Sequence, residues 1–144
     1  MNPVNIDPVW LMHVQKPARY IGGEWNSIVK NHDSVDVKVA LAFPDVYEVA
    51  MSHLGLKIIY SVINSKSYAL AERVYAPWID MEKMMRERGV PLFSLENKCP
   101  IHDFDVLGFT IPYEMSYTNV LNMIDLAKIP VLSKDRSDND PIVI

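Results

Sequence analysis

Three apolar runs in this chain each end on a proline, and stretches of helical spacing separate them; no other feature limits its fold so much. Val37 to Phe43 (VKVALAF) is closed by Pro44, a run around Ala71 to Ala76 by Pro77, and Val106 to Ile111 (VLGFTI) by Pro112. Near-continuous apolar runs of this length suit strands covered on both faces. A proline removes the donor that the strand ladder needs next. Between the runs, Ser52 is expected to open a helix whose apolar positions include Leu56, Ile59, Tyr60 and Ile63. A second helix is expected from about Ile79 to Arg88, with Gly89 just beyond its end, and a third from about Tyr117 to Ala127. Pro91 to Leu95 reads as a short strand, and Ile142 to Ile144 as the beginning of another.

Strands alternating with helices mean βαβ units. Right-handed crossovers then give a doubly wound, mainly parallel α/β sheet, a flavodoxin-like or Rossmann-like three-layer sandwich. Polar punctuation at residues 30–34 and 133–141 brackets the alternation. The α/β domain is expected to span 37–144, with residues 1–36 an extension that packs on the sheet or on a neighbouring domain. In that extension Gly22-Gly23 reads as a tight turn or small hairpin, either a plain turn or, with its amides and Arg19, an anion nest. Trp10, Tyr20 and Trp25 need burial somewhere. Because the sequence stops on an apolar strand, a longer polypeptide is expected.

Composition narrows the function. The formal net charge is -4 with no basic stripe, which argues against a nucleic-acid partner. The single cysteine, Cys99, makes no internal disulfide and holds no iron–sulfur cluster or structural zinc by itself, as expected of a reducing, cytoplasmic setting. No apolar run is long enough to span a bilayer, so no membrane association is expected. The loop after the first strand has one glycine where a dinucleotide fingerprint needs three, and there is neither a Walker loop nor a G-x-S-x-G elbow. His13, His32 and His102 lack partners at metal-ligand spacing. No catalytic set and no metal site are expected of the chain alone.

In an open parallel sheet, ligands bind outside the carboxyl ends of the strands. Three loops are expected to converge there: Pro44 to Glu48, Pro77 to Asp80, and Pro112 to Tyr117. Asp45, Tyr47, Glu48, Trp78, Tyr113, Glu114 and Tyr117 supply rings and carboxylates suited to a planar ligand held by a few polar groups. Each also reads as a cap of the sheet or of a helix start. Ser52 and His53 begin the first helix beside this rim; His53 reads either as a ligand or proton carrier, or as a residue packed at a helix N-terminus.

The runs KPARYIGGEWNS, VALAFPDVYEVAMSHLGLKIIY, AERVYAPWIDMEKMMRERGVPLFSLE and DFDVLGFTIPYEMSYTNVLNMIDLAKIP resemble the start of a group of large radical S-adenosylmethionine (radical SAM) proteins. In those proteins a cobalamin-binding-type domain precedes the radical SAM barrel. The resemblance runs from about residue 16 to 144. It implies an accessory domain that binds cobalamin or shapes the active site of the barrel in the same polypeptide, with no catalysis of its own. The [4Fe-4S] cluster, its C-x3-C-x2-C ligands and S-adenosylmethionine would belong to the part beyond residue 144. The resemblance also places Thr110 among the cofactor-binding residues, as the small hydroxyl at the end of its strand. The family's D-x-H-x-x-G motif is matched only by Asp45, His53 and Gly55 at other spacings. The alternative expectation keeps the flavodoxin-like fold but makes it a docking domain without a ligand.

Overall fold

The computed structural model describes residues 2–144. In chain order its helices are α1 (Pro8–Leu11), α2 (Ala18–Ile21), α3 (Tyr47–Ala50), α4 (Leu54–Asn64), α5 (Ile79–Arg88) and α6 (Tyr117–Leu126), with four short 3-10 turns. The strands are β1 (Val37–Phe43), β2 (Ala69–Tyr75), β3 (Val106–Phe109) and β4 (Ile142–Val143). They form one sheet in the order β2-β1-β3-β4, and every pairing is parallel. The chain is therefore a doubly wound α/β fold of the flavodoxin-like or Rossmann-like kind, as its alternation of periods predicts.

Side chains alternate across each strand, and the two faces carry separate cores. Ala40, Ala42, Val74 and Leu107 pack with Met81 and Met85 of α5 and with Val120, Met123 and Ile124 of α6. Leu41, Phe43 and Ala71 pack on the other face with Leu56 and Tyr60 of α4. The ends of α5 explain its clean boundaries: Asp80 and Glu82 sit in its first turn, Arg86 and Arg88 in its last, and Gly89 takes the left-handed conformation at φ 67.

β2 is an edge strand, yet six of its seven residues are buried. Its outward backbone groups are satisfied one by one. Lys30 Nζ donates to the Ala69 carbonyl at 2.7 Å, the Asn64 amide pairs with both the N–H and the carbonyl of Ala71, Glu96 accepts from the Arg73 N–H, and the Leu95 N–H donates to the Arg73 carbonyl. Capping an edge in this way removes its capacity to pair with another chain. The residues before β1 also lie against the α/β unit. Gln15 donates to Asp80, Tyr60 accepts from the Ile28 N–H, and His32 meets Glu72.

Several local expectations are corrected. Pro91 to Leu95 is not a strand; it crosses the edge of β2, with one isolated antiparallel bridge from Phe93 to Pro100. β2 begins at Ala69 rather than Ala71. The first long helix is capped by His53, whose Nδ1 accepts from the Leu56 N–H, while the Ser52 hydroxyl turns back to the Val49 carbonyl. Gly22-Gly23 follows a short helix, not a hairpin, and Arg19 is committed to Glu48 rather than open to an anion. Trp10 and Tyr20 are buried, whereas Trp25 is 99% exposed.

Candidate functional site

All four strands run the same way, so the loops leaving β1, β2 and β3 emerge on one rim. Asp45 ties them together. Its carbonyl accepts from the Ala76 N–H at 3.1 Å, joining the loop after β2. Its Oδ2 accepts from the Tyr113 hydroxyl at 3.3 Å, joining the loop after β3. The preceding Pro44 carbonyl accepts from Asn119 of α6, and the Thr110 N–H continues the ladder to the Ala42 carbonyl.

The side of the rim above β2 is built by α2 and α3. Glu48 receives Lys16 Nζ at 2.8 Å and Arg19 Nε at 2.9 Å. Lys16 first, and Arg19 after it, hold the Glu48 carboxyl down at about 2, so it is an anion under ordinary conditions. The Arg19 guanidinium also stands 5.2 Å from the centroid of the Trp78 ring, a cation–π contact that orients the indole. The Tyr20 hydroxyl accepts from the Trp78 N–H. Tyr47 meets Tyr75 edge-on, with ring centroids 5.8 Å apart. Burial raises both phenols above their usual range, so they stay neutral.

Beneath this group lies a cavity of about 30 Å³, bounded by Arg19, Tyr47, Tyr75, Pro77 and Phe93 among others. It has room for a water or two and no more. A larger group does not fit inside it. The rim surface is open, with aromatic and apolar groups beside the exposed carboxylates of Glu48 and Glu114: Trp78 is 38% exposed, Tyr113 47%, Tyr117 56% and Met115 82%.

Of the residues expected at the site, Asp45 and Tyr113 are in direct contact, and Glu48 and Trp78 are joined through Arg19. Tyr47 lies beneath them and Thr110 ends the β3 ladder. Glu114 and Tyr117 are exposed, on the 3-10 turn before α6 and at its start. Ser52 and His53 serve the start of α4, with the His53 ring 5.0 Å from that of Phe43. Among the described residues, no group of three or more His, Cys, Asp or Glu side chains is placed to hold a metal, and no helix is long and apolar enough to cross a membrane.

Sequence reasoning passed over Arg19 as a rim residue and the buried polar cluster on β2. Glu72 is fully buried, its Oε1 2.5 Å from both His32 Nε2 and Asn97 Nδ2. Arg73, on the opposite face, pairs with Glu96 at 2.6 Å and Glu24 at 3.2 Å. The signal was present: two adjacent charges in the middle of an otherwise apolar strand, ALAERVY, need partners.

A family model described as "Radical SAM proteins, N-terminal" matches residues 55–144. The match begins at the start of α4 and takes in β2, β3 and β4 with two of the three rim loops. No curated protein and no solved structure matches the chain.

Proposed function

The chain belongs to the family of radical SAM protein N-terminal regions, and from that premise we propose that it is an accessory domain whose strand-end rim receives a planar cofactor of the corrinoid class. The rim presents that group to the radical SAM part of the same polypeptide, and the domain performs no bond chemistry of its own. One observation carries this reading. The rim sits where open parallel sheets bind ligands, its loops are joined through Asp45, and it is surfaced by exposed Trp78, Tyr113, Met115 and Tyr117.

The residues present suit a corrinoid laid on the rim, without a histidine on its metal. His53 Nδ1 is used to cap α4, and its ring packs on Phe43. A corrinoid supplies cobalt-centred radical or group-transfer chemistry when bound. The chain's share is to bind and orient it: Trp78 and Tyr113 offer ring faces, Thr110 and Asp45 offer polar groups at the strand ends, and Glu48 fixes Arg19 behind the indole.

The test is a titration of the pure chain with hydroxocobalamin, followed by its visible spectrum and by retention on gel filtration. A saturable spectral change that Trp78→Ala and Tyr113→Ala each weaken at least fivefold supports the reading. Unchanged spectra with no retention sink the corrinoid assignment for this chain. They leave the second reading, a docking domain that shapes the barrel's active site, which the small size of the cavity under the rim favours.

A further inference from the structure

The two faces of the sheet are not equally covered. α5 and α6 together cover one face, where Leu107 and Val143 point. The other face has α4, with Ala50 of α3 beside it, packed on Leu41, Phe43 and Ala71 of β1 and β2, while Glu24 and Ser27 of the N-terminal segment reach Arg73 at its β2 edge. The part of that face formed by β3, β4 and the near side of β1 is left open. By alternation it consists of Val37, Val106, Gly108, Ile142 and Ile144, with half-buried Val39 at its margin, packed against the α4 cluster. The assignment is anchored at Gly108, where a Cβ would stand 3.8 Å from Ile144 Cγ1 and 4.0 Å from Leu41 Cδ2. Ile142 is 65% exposed and Ile144 75%. The flank of α4 beside this strip is apolar too, with exposed Ile59 and Val62. A helix whose apolar stripe extends past its buried residues to exposed Ile58, Ile59 and Val62, next to an apolar strip of sheet, marks a covered surface rather than a solvated one.

We propose that this half-face is the seat of an amphipathic helix from the same polypeptide, packed beside α4 and antiparallel to the strands. The seat continues the existing α4–sheet interface without a polar break. The missing side chain at Gly108 leaves a notch between Leu41 and Ile144 that takes one large apolar residue. Right-handed crossovers run helices antiparallel to their strands, so the carboxyl end of the incoming helix lies over the strand starts. Exposed Asp36 and Asp105 stand there, and a helix end of partial negative charge needs a basic last turn to meet them. The occupant is thus an uncharged stripe of helical spacing that ends in Lys or Arg.

This inference rests on the reading of the chain as the head of a radical SAM polypeptide, and its test separates the two. Ile59→Cys and Ile144→Cys are made singly in the 144-residue chain and in the polypeptide that continues into the radical SAM part. Maleimide labelling is followed site by site by peptide mass spectrometry. Met12→Cys, far from the seat and 76% exposed, is the control for accessibility. Labelling at both test sites at least tenfold slower in the longer polypeptide, with the control unchanged, supports the seat. Rates within twofold overturn it. Rates in the 144-residue chain that fall as its own concentration rises overturn it in favour of a second copy. If Ile144→Cys disturbs β4, Ile59→Cys reads the same face from α4. A polypeptide that lacks a radical SAM part removes the parent reading and this one together, whereas unprotected cysteines in one that has it remove this one alone.

Discussion

The side-chain amide of Asn64 pairs with Ala71 as a neighbouring strand would: Nδ2 donates to the Ala71 carbonyl at 3.0 Å, and Oδ1 accepts from the Ala71 N–H at 3.1 Å. The last turn of α4 thereby closes the middle of an edge that Lys30, Leu95 and Glu96 close on either side.

Asn64→Ala leaves a buried donor and a buried acceptor without partners, which costs about 1–3 kcal/mol. Asn64→Asp keeps the acceptor but sets a carboxylate oxygen against the Ala71 carbonyl, and it is expected to cost at least as much. Urea denaturation reads both. A midpoint for Asn64→Ala equal to that of the parent would show that water replaces the amide there.

The His32–Glu72 pair, joined by Asn97, is buried on both sides. Removing one partner leaves the other a buried polar group without its hydrogen bond, so Glu72→Ala is expected to destabilise by about 1–3 kcal/mol. The double change His32→Phe with Glu72→Met should recover much of that loss, because two apolar groups need no hydrogen-bond partner. A double variant as weak as the sum of its singles contradicts the coupling.

Glu48 titrates at about 2 in the fold because Lys16 and Arg19 bond its charged form. A depressed carboxylate contributes stability that is complete above its ordinary value of 4.5 and is lost as pH falls towards 2. The docking of α2 is therefore expected to loosen across that window, seen as lower amide-exchange protection in Ala18–Ile21 after correction for the intrinsic rate. Added salt should mimic part of the effect, since the pair is exposed. Glu48→Gln should give protection factors in α2, corrected for intrinsic exchange, that no longer respond to pH between 4.5 and 2.

Gly22 and Gly23 both have positive φ, at 74 and 83. A Cβ on Gly22 would stand 2.5 Å from the Leu95 carbonyl oxygen, whereas one on Gly23 meets nothing within 4 Å. Gly23→Ala is expected to cost about 1 kcal/mol, the conformational term alone. Gly22→Ala must also push the extension off the segment that seals β2, and thermal denaturation should show a loss at least twice as large. Equal losses would mean that the contact yields freely.

How much of the fold was legible varies with the kind of signal. α5 was readable to the residue because its acids, its arginines and Gly89 are all local. His53 took the capping role expected of Ser52 because the ring nitrogen reaches the Leu56 N–H. Pro91 to Leu95 has the composition of a strand but is drawn across an edge by bonds to Arg73 and Cys99, and nothing in its own sequence names those partners. At the rim, the convergence of three loops followed from parallel strands ending in prolines. The link from Asp45 to Tyr113, and the clamp of Lys16 and Arg19 on Glu48, join residues far apart in the chain.

The sequence by itself determined the parallel α/β class, the order of its elements and the end of the sheet where the three loops converge. Those follow from hydrophobic period and proline position, which act within a single element. Only the tertiary structure decided which polar residues go inside. Glu72 and Arg73 are buried because Asn64, Glu96 and residues from the N-terminal extension come to an otherwise open edge. Satisfying a buried donor or acceptor depends on what stands across from it in space, and no local pattern encodes that.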